Sequence, residues 1–208
     1  MIDKVKMLCE QYQEPRDTFK DNFSETPISF GRKKQRERIY SICDYATKNN
    51  PGDIIQIGCK DGELTKLFCE IAQKYDRTVT CIDPFITVNR TEKTSENYFK
   101  FLMNTAPYSD IVHLHMEETS SELSDALMQL VEYSFVYISG LNKYDVHANE
   151  IDLCSVKNHN SGIICLDNIR KDGKKKDKSM LDLYQDKLNQ YSFGYYWNQG
   201  QREGYLLP

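Results

Sequence analysis

No stretch of this 208-residue chain approaches the ~20 consecutive apolar residues that cross a bilayer, and the opening Met1-Ile2-Asp3-Lys4-Val5-Lys6 has no apolar signal core. A soluble, cytoplasmic protein is expected. Surplus positive charge is also missing: 27 Lys and Arg stand against 31 Asp and Glu, for a net charge of −4. That balance offers no global attraction to nucleic acid or anionic membrane, so neither is an expected partner. No Cys-x-x-Cys pair occurs, and no Cys/His spacing suits zinc. The seven cysteines (Cys9, Cys43, Cys59, Cys69, Cys81, Cys154, Cys165) are odd in number and scattered, mostly within apolar segments. They read as reduced, buried small hydrophobes. A Gly-x-Ser-x-Gly elbow and a Gly-x-Gly-x-x-Gly fingerprint are both absent, which argues against a hydrolase of that type and a dinucleotide dehydrogenase.

What is present is Asp53-Ile-Ile-Gln-Ile-Gly-Cys-Lys-Asp-Gly-Glu-Leu-Thr65, followed by Thr78-Val-Thr-Cys-Ile-Asp83. The first reads as a buried strand entering a glycine turn that opens a helix, the second as a buried strand ending in a carboxylate. Gly58 and Gly62 allow a sharp turn and close approach to a ligand, and the helix beyond offers unpaired N–H groups to an anion. Asp83, about 20 residues on, stands where a carboxylate accepts ribose hydroxyls. Gly-x-x-x-Gly makes no pyrophosphate cradle, so a ligand with one ribose and a small charged tail suits this turn better than NAD.

At these residues the sequence resembles the class I S-adenosylmethionine-dependent methyltransferases, in the branch of small-molecule and sugar O-methyltransferases. The resemblance rests on Gln56-Ile57-Gly58 to Leu64 and on Ile82-Asp83-Pro84-Phe85, and extends in order of elements over roughly 34–208. Gln56 stands where an acidic residue is usual and Leu64 where a serine is usual; Thr65 is the candidate replacement for that hydroxyl. The resemblance implies an α/β fold, a Rossmann-like seven-stranded mixed sheet with helices on both faces and a C-terminal antiparallel hairpin.

The length suits one domain. Residues 1–30 are expected to form an N-terminal extension, either a lid or a packing arm, and 31–208 the methyltransferase domain. Helices are expected at 32–48, 62–75, 94–104, through Leu123, Leu127 and Leu130, from Tyr144 to about 156, and at 179–189. Strands are expected at 53–57, 78–82, 111–115, 134–138 and 163–166, with a hairpin of 191–197 and 203–207. Ligands in such sheets sit beyond the C-terminal strand ends, where Gly58, Asp83, Glu118, Ser139 and Asp167 fall. Gly58, Cys59, Lys60, Gly62, Asp83, Glu118 and Ser139 are therefore the candidate S-adenosylmethionine contacts. Glu118 has a plainer role open to it, favouring the positive end of the next helix.

Methyl transfer requires an aligned and, for a hydroxyl, deprotonated nucleophile. Asp167 and His147 are the candidate bases, with an ordinary helix histidine as the alternative for His147. Some members of the resembled group hold a divalent cation with an acidic residue ending the fourth strand and an Asp-Asn pair ending the fifth. Asp167-Asn168 matches the second part, but Ser139 replaces the first carboxylate and Asn142 the usual histidine or lysine, so no metal is expected. The acceptor implied is a small molecule, a sugar or an anionic metabolite that the basic run 170–178 could attract. The competing reading is a degenerate methyltransferase fold serving as a binding or scaffold protein, motivated by Gln56, Leu64, Ser139 and Asn142.

Overall fold

The computed structural model describes residues 2–11, 27–85, 92–116, 132–140, 143–157, 162–169, 179–191, 193–196 and 203–207. In chain order the elements are α1 (Ile2–Gln11), α2 (Pro27–Asn49), β1 (Asp53–Ile57), α3 (Glu63–Lys74), β2 (Val79–Ile82), α4 (Glu92–Thr105) and a 3-10 turn (Ala106–Tyr108). They continue with β3 (Val112–His115), β4 (Tyr133–Ile138), α5 (Tyr144–Lys157), β5 (Ile163–Leu166), α6 (Met180–Leu188), β6 (Phe193–Tyr196) and β7 (Gly204–Leu207).

The strands form one sheet in the order β3-β2-β1-β4-β5-β7-β6. The first five run parallel, β7 returns antiparallel to β5, and β6 lies antiparallel to β7. The chain works outward from β1 to β3, then crosses back to place β4 on the other side of β1. That reversal opens the crevice where ligands of such sheets bind.

Short apolar strands buried on both faces account for the parallel core. Ile54, Phe135, Tyr137, Ile163, Cys165, Tyr205 and Leu207 project to one face, packing with Val5 of α1, Ile39, Ile42 and Ala46 of α2, Phe68 and Ile71 of α3, and Phe101 of α4. Ile55, Ile57, Val136, Ile138, Ile164, Leu166 and Leu206 project to the other, against Ile151 and Cys154 of α5 and Met180, Leu183 and Tyr184 of α6. The period-2 alternation of the strands thus divides one sequence into two cores.

Boundaries differ from the expected ones where local chemistry decides them. α2 starts at Pro27, five residues before Arg32, because proline is tolerated in a first helical turn; the expected division at residue 30 falls inside this helix. Ser179 lies outside α6 as its N-cap, in a reciprocal capping box with Asp182. Within the expected extension, α1 packs on α2 and β6, with Val5 fully buried. The helix expected through Leu123, Leu127 and Leu130, residues 86–91, the basic run 170–178 and residues 12–26 lie outside the described residues. Among the described residues no helix is long and apolar enough to cross a membrane, and Cys43, Cys59, Cys69, Cys81, Cys154 and Cys165 are buried free thiols.

Phe68 anchors the first core, its ring 5.8 Å from Phe135 and 5.7 Å from Tyr137. Phe68→Ala is expected to lower stability by about 3–5 kcal/mol, read as a fall in the urea midpoint with an unchanged slope.

Candidate active site

The turn after β1 is built from glycines for two different reasons. Gly58 has φ 82°, and a Cβ there would lie 2.1 Å from the Ser139 carbonyl oxygen, so the end of β4 leaves no room for any side chain. Gly62, with φ 77°, is the N-cap of α3, and its Cβ would meet the Phe101 Cα at 2.9 Å. Gly62 therefore permits α4 to pack closely against the turn. Between them Lys60 also adopts a left-handed backbone, φ 52°.

Asp83 brackets this turn. Its Oδ2 accepts the Cys59 N–H at 2.7 Å and the Lys60 N–H at 2.9 Å, and its Oδ1 accepts the Phe85 N–H at 2.7 Å. Three main-chain donors on one carboxylate are charge-assisted and rigid. Cys59 and Lys60 thus spend their N–H groups on Asp83. The Cys59 side chain points into the core, where burial pushes its thiol well up.

Gln56 is buried beneath the turn. Its Oε1 accepts the Thr65 hydroxyl at 2.7 Å, and its Nε2 donates to the Gly58 carbonyl at 3.3 Å. A carboxylate at this position could accept from Thr65 but could not donate to Gly58, so the amide fits this turn. Thr65 is fully buried, and its hydroxyl serves Gln56, not a ligand. Ser139 closes the switch point: its N–H donates to Ile57 O at 2.8 Å and its hydroxyl to Gly58 O at 3.2 Å. Gly140 follows, and the only described side-chain or backbone atom within 4 Å of a Cβ built on it is His147 Cε1, at 3.9 Å.

Asp167 stands half-exposed at the end of β5. Its Oδ1 accepts Gln35 Nε2 at 3.0 Å and the N–H of Asn168 at 2.8 Å, Asn168 taking the left-handed conformation that asparagine tolerates. The Tyr137 phenol is buried near Asp167; burial first, then the Asp167 charge, pushes it well up. One turn after Gln35 on α2, Arg38 Nε lies 2.5 Å from Glu203 Oε1, with both side chains buried. Burial raises the Glu203 carboxyl, and Arg38 only partly offsets that.

His147 does not join Asp167. It is buried on α5, on the opposite face of the sheet from α2, with Nδ1 bonded to Glu150, which is also buried. Tyr144, at the start of the same helix, donates to Asp186 Oδ2 on α6 at 2.6 Å. Glu118 and Asn142 lie outside the described residues. Gln35, Arg38, Tyr137 and Glu203 were not apparent in the sequence: the first two meet partners 132 and 165 residues away. A lone glutamate beside an aromatic strand, Glu203 before Gly204-Tyr205-Leu206-Leu207, is the one local signal.

Two outcomes follow for these pairs. Thr65→Val leaves the Gln56 oxygen buried without a donor and is expected to cost about 1–3 kcal/mol in chemical denaturation. Arg38→Met leaves Glu203 uncompensated and is expected to cost about 3–5 kcal/mol, most of it recovered in Arg38→Met/Glu203→Gln. Because the folded Glu203 carboxyl loses its proton at higher pH than the unfolded one, its contribution to stability is present below the ordinary value of 4.5 and lost as pH rises through the raised value. Glu203→Gln should flatten that part of the stability–pH curve.

No family model matches the sequence, and no curated protein matches it. Solved structures do resemble the chain. The TDP-rhamnose 3'-O-methyltransferase CalS11 of calicheamicin biosynthesis has 12% identity and a TM-score of 0.63 over 99% of this chain and 93% of its own. The O-methyltransferase TomG from Streptomyces achromogenes, in complex with S-adenosylmethionine, has 12% identity and a TM-score of 0.61 over 99% of this chain and 88% of its own. The Podospora anserina methyltransferase PaMTH1, bound to S-adenosylhomocysteine, has 13% identity and a TM-score of 0.57 over 100% of this chain and 95% of its own. The likeness runs over the whole chain, and what it shows is the fold: this chain is folded like S-adenosylmethionine-dependent methyltransferases.

Proposed function

We propose that the protein is an S-adenosylmethionine-dependent methyltransferase acting on a hydroxyl of a small molecule, a sugar or glycosylated metabolite. The observation that carries this reading is the Asp83 bracket over the Gly58–Gly62 turn, placed at the switch point of a sheet whose structural neighbours are methyltransferases. The sugar acceptor is favoured by the TDP-rhamnose enzyme among those neighbours.

The residues present fit the cofactor. A carboxylate has about four acceptor directions; three on Asp83 are taken by N–H groups, and the remaining one, on Oδ1, is available to a ribose hydroxyl. Ser139 and Gly140 floor the space beyond β4, where Gly140 presents no side chain. Gly58, Cys59, Lys60 and Gly62 shape this cradle through the backbone, and Glu118 is retained as the candidate adenine contact. When bound, S-adenosylmethionine supplies an electrophilic sulfonium methyl group.

Asp167 is the base we assign. It is half-exposed at the mouth next to β4, and Gln35 and the Asn168 N–H fix its orientation, so it can take the proton of an acceptor hydroxyl held there. His147 is the weaker candidate, since it is buried and its Nδ1 is committed to Glu150. The departures that favoured a degenerate scaffold lose force in this reading, because Gln56 and Ser139 are bonded into the turn and hold it in shape.

Isothermal calorimetry with S-adenosylmethionine and S-adenosylhomocysteine tests the proposal, and no heat from either at millimolar concentration would sink it. Asp83→Ala is expected to weaken binding by about 10- to 150-fold, the loss of a charged hydrogen bond worth roughly 1.5–3 kcal/mol. Asp83→Asn, which keeps one acceptor oxygen for the turn, should retain more of the fold's stability than Asp83→Ala while still losing affinity.

A further inference from the structure

Two carboxylates meet at the acceptor end of the sheet. Leu166 of β5 lies opposite Gly204 of β7, so the next residue outward on each strand, Asp167 and Glu203, sit side by side at the mouth. Glu203 is fully buried; its Oε1 bonds to Arg38, and its Oε2 has no hydrogen-bond partner among the described residues. The charge of Asp167 acts on it across this gap. A fully buried carboxylate beside a second, half-exposed one requires either a proton or a cation. A divalent ion is one such cation and a guanidinium is another.

The metal site that the methyltransferase resemblance implies for some members does not fit these donors. Ser139 offers a hydroxyl that is directed to the Gly58 carbonyl, and Asp167 Oδ1 already receives two N–H groups. Among the described residues no group of three or more His, Cys, Asp or Glu is placed to hold an ion. Arg38 sits instead against Glu203, on the helix that also delivers Gln35 to Asp167, three residues apart and hence on one face. Its charge is permanent, because the guanidinium does not deprotonate in proteins.

We propose that the Arg38 guanidinium is the built-in cation of this mouth: it compensates the Asp167–Glu203 pair, keeps a divalent ion out and holds α2 over the strand ends. Arg38 is thereby a positioning residue, acting on Asp167 through Glu203 and through the seat of Gln35. Its bearing on methyl transfer rests on the function proposed above, whereas the ion-binding test needs neither cofactor nor acceptor.

The probe is Mn2+, a hard ion suited to carboxylate oxygens, titrated into the full chain at neutral pH and followed by its electron paramagnetic resonance signal. The unaltered protein is expected to bind none at millimolar concentration. Arg38→Met should gain a Mn2+ site at least tenfold tighter than any in the unaltered protein, and Arg38→Met/Asp167→Asn should lose it. Arg38→Lys, which keeps a cation, should still exclude the ion. Circular dichroism reports folding, with Arg38→Gln carrying the comparison if Arg38→Met does not fold. If neither folds alone, Mn2+ is expected to restore the folded spectrum. A folded Arg38→Met or Arg38→Gln protein that binds Mn2+ no better than the unaltered one overturns the proposal, as does failure of Mn2+ to rescue unfolded variants. So does Asp167-dependent Mn2+ binding by the unaltered protein.

Discussion

The mouth of this sheet depends on one carboxylate. Asp83 gathers the N–H groups of Cys59, Lys60 and Phe85, and by doing so ties the end of β2 to the turn that leaves β1. Unpaired main-chain donors at a turn this tight would be costly to shield from water, and the side chain removes two of them with one oxygen. The tie has consequences on the other side of β1. With the turn drawn toward β2, the Gly58 carbonyl is presented to Ser139 and to Gln56 together, and no Cβ fits between Gly58 and β4. Glycine at 58, serine at 139 and glutamine at 56 are therefore one solution to one geometric demand.

That coupling explains which parts of the site were legible in the sequence. β1, β5 and the glycine turn were plain because a buried parallel strand is a continuous apolar run and a positive φ calls for glycine. The position of Asp83 was equally plain, but its partners were not: main-chain donors leave no mark in the sequence. Gln56 looked like a defect when set against an acidic residue, yet its amide supplies a donor that a carboxylate lacks. The contacts of α2 with Asp167 and Glu203 were invisible for another reason. Helix periodicity identifies the face that is buried, here Ile39, Ile42, Cys43 and Ala46, but polar residues on the rim of that face can reach any strand end within range. Tyr144 and His147, three residues apart on one helix, find different partners: Asp186 on α6 for the first, and Glu150, one turn on in the same helix, for the second.

The two faces of the sheet carry different burdens. α2, α3 and α4 cover the face that holds Gln56, Tyr137 and Cys165, and the polar groups there are bonded to one another toward the C-terminal edge. α5 and α6 cover a face whose strand residues are aliphatic at the same level, Ile57, Ile138 and Leu166. The Asp167 carboxylate is oriented by hydrogen bonds on the α2 face, and the buried His147–Glu150 pair lies on the other.

A thiol beside the alkylating cofactor proposed above would pose its own problem, since the thiolate is the nucleophile and Cys59 lies in the turn itself. The structure answers it by direction and by burial. The Cys59 side chain turns inward, its Sγ 3.6 Å from Gln56 O and 3.9 Å from Ile82 O, and burial first, then the neighbouring Cys81 and Asp83, push the thiol well above its ordinary range. Cys69, on α3 in the same core, is pushed up in the same way. Held neutral and beneath the backbone, these sulfurs pack as small hydrophobes. The backbone N–H of the same residue is given to Asp83, so Cys59 buries its thiol in the core while its main chain ties the turn to β2.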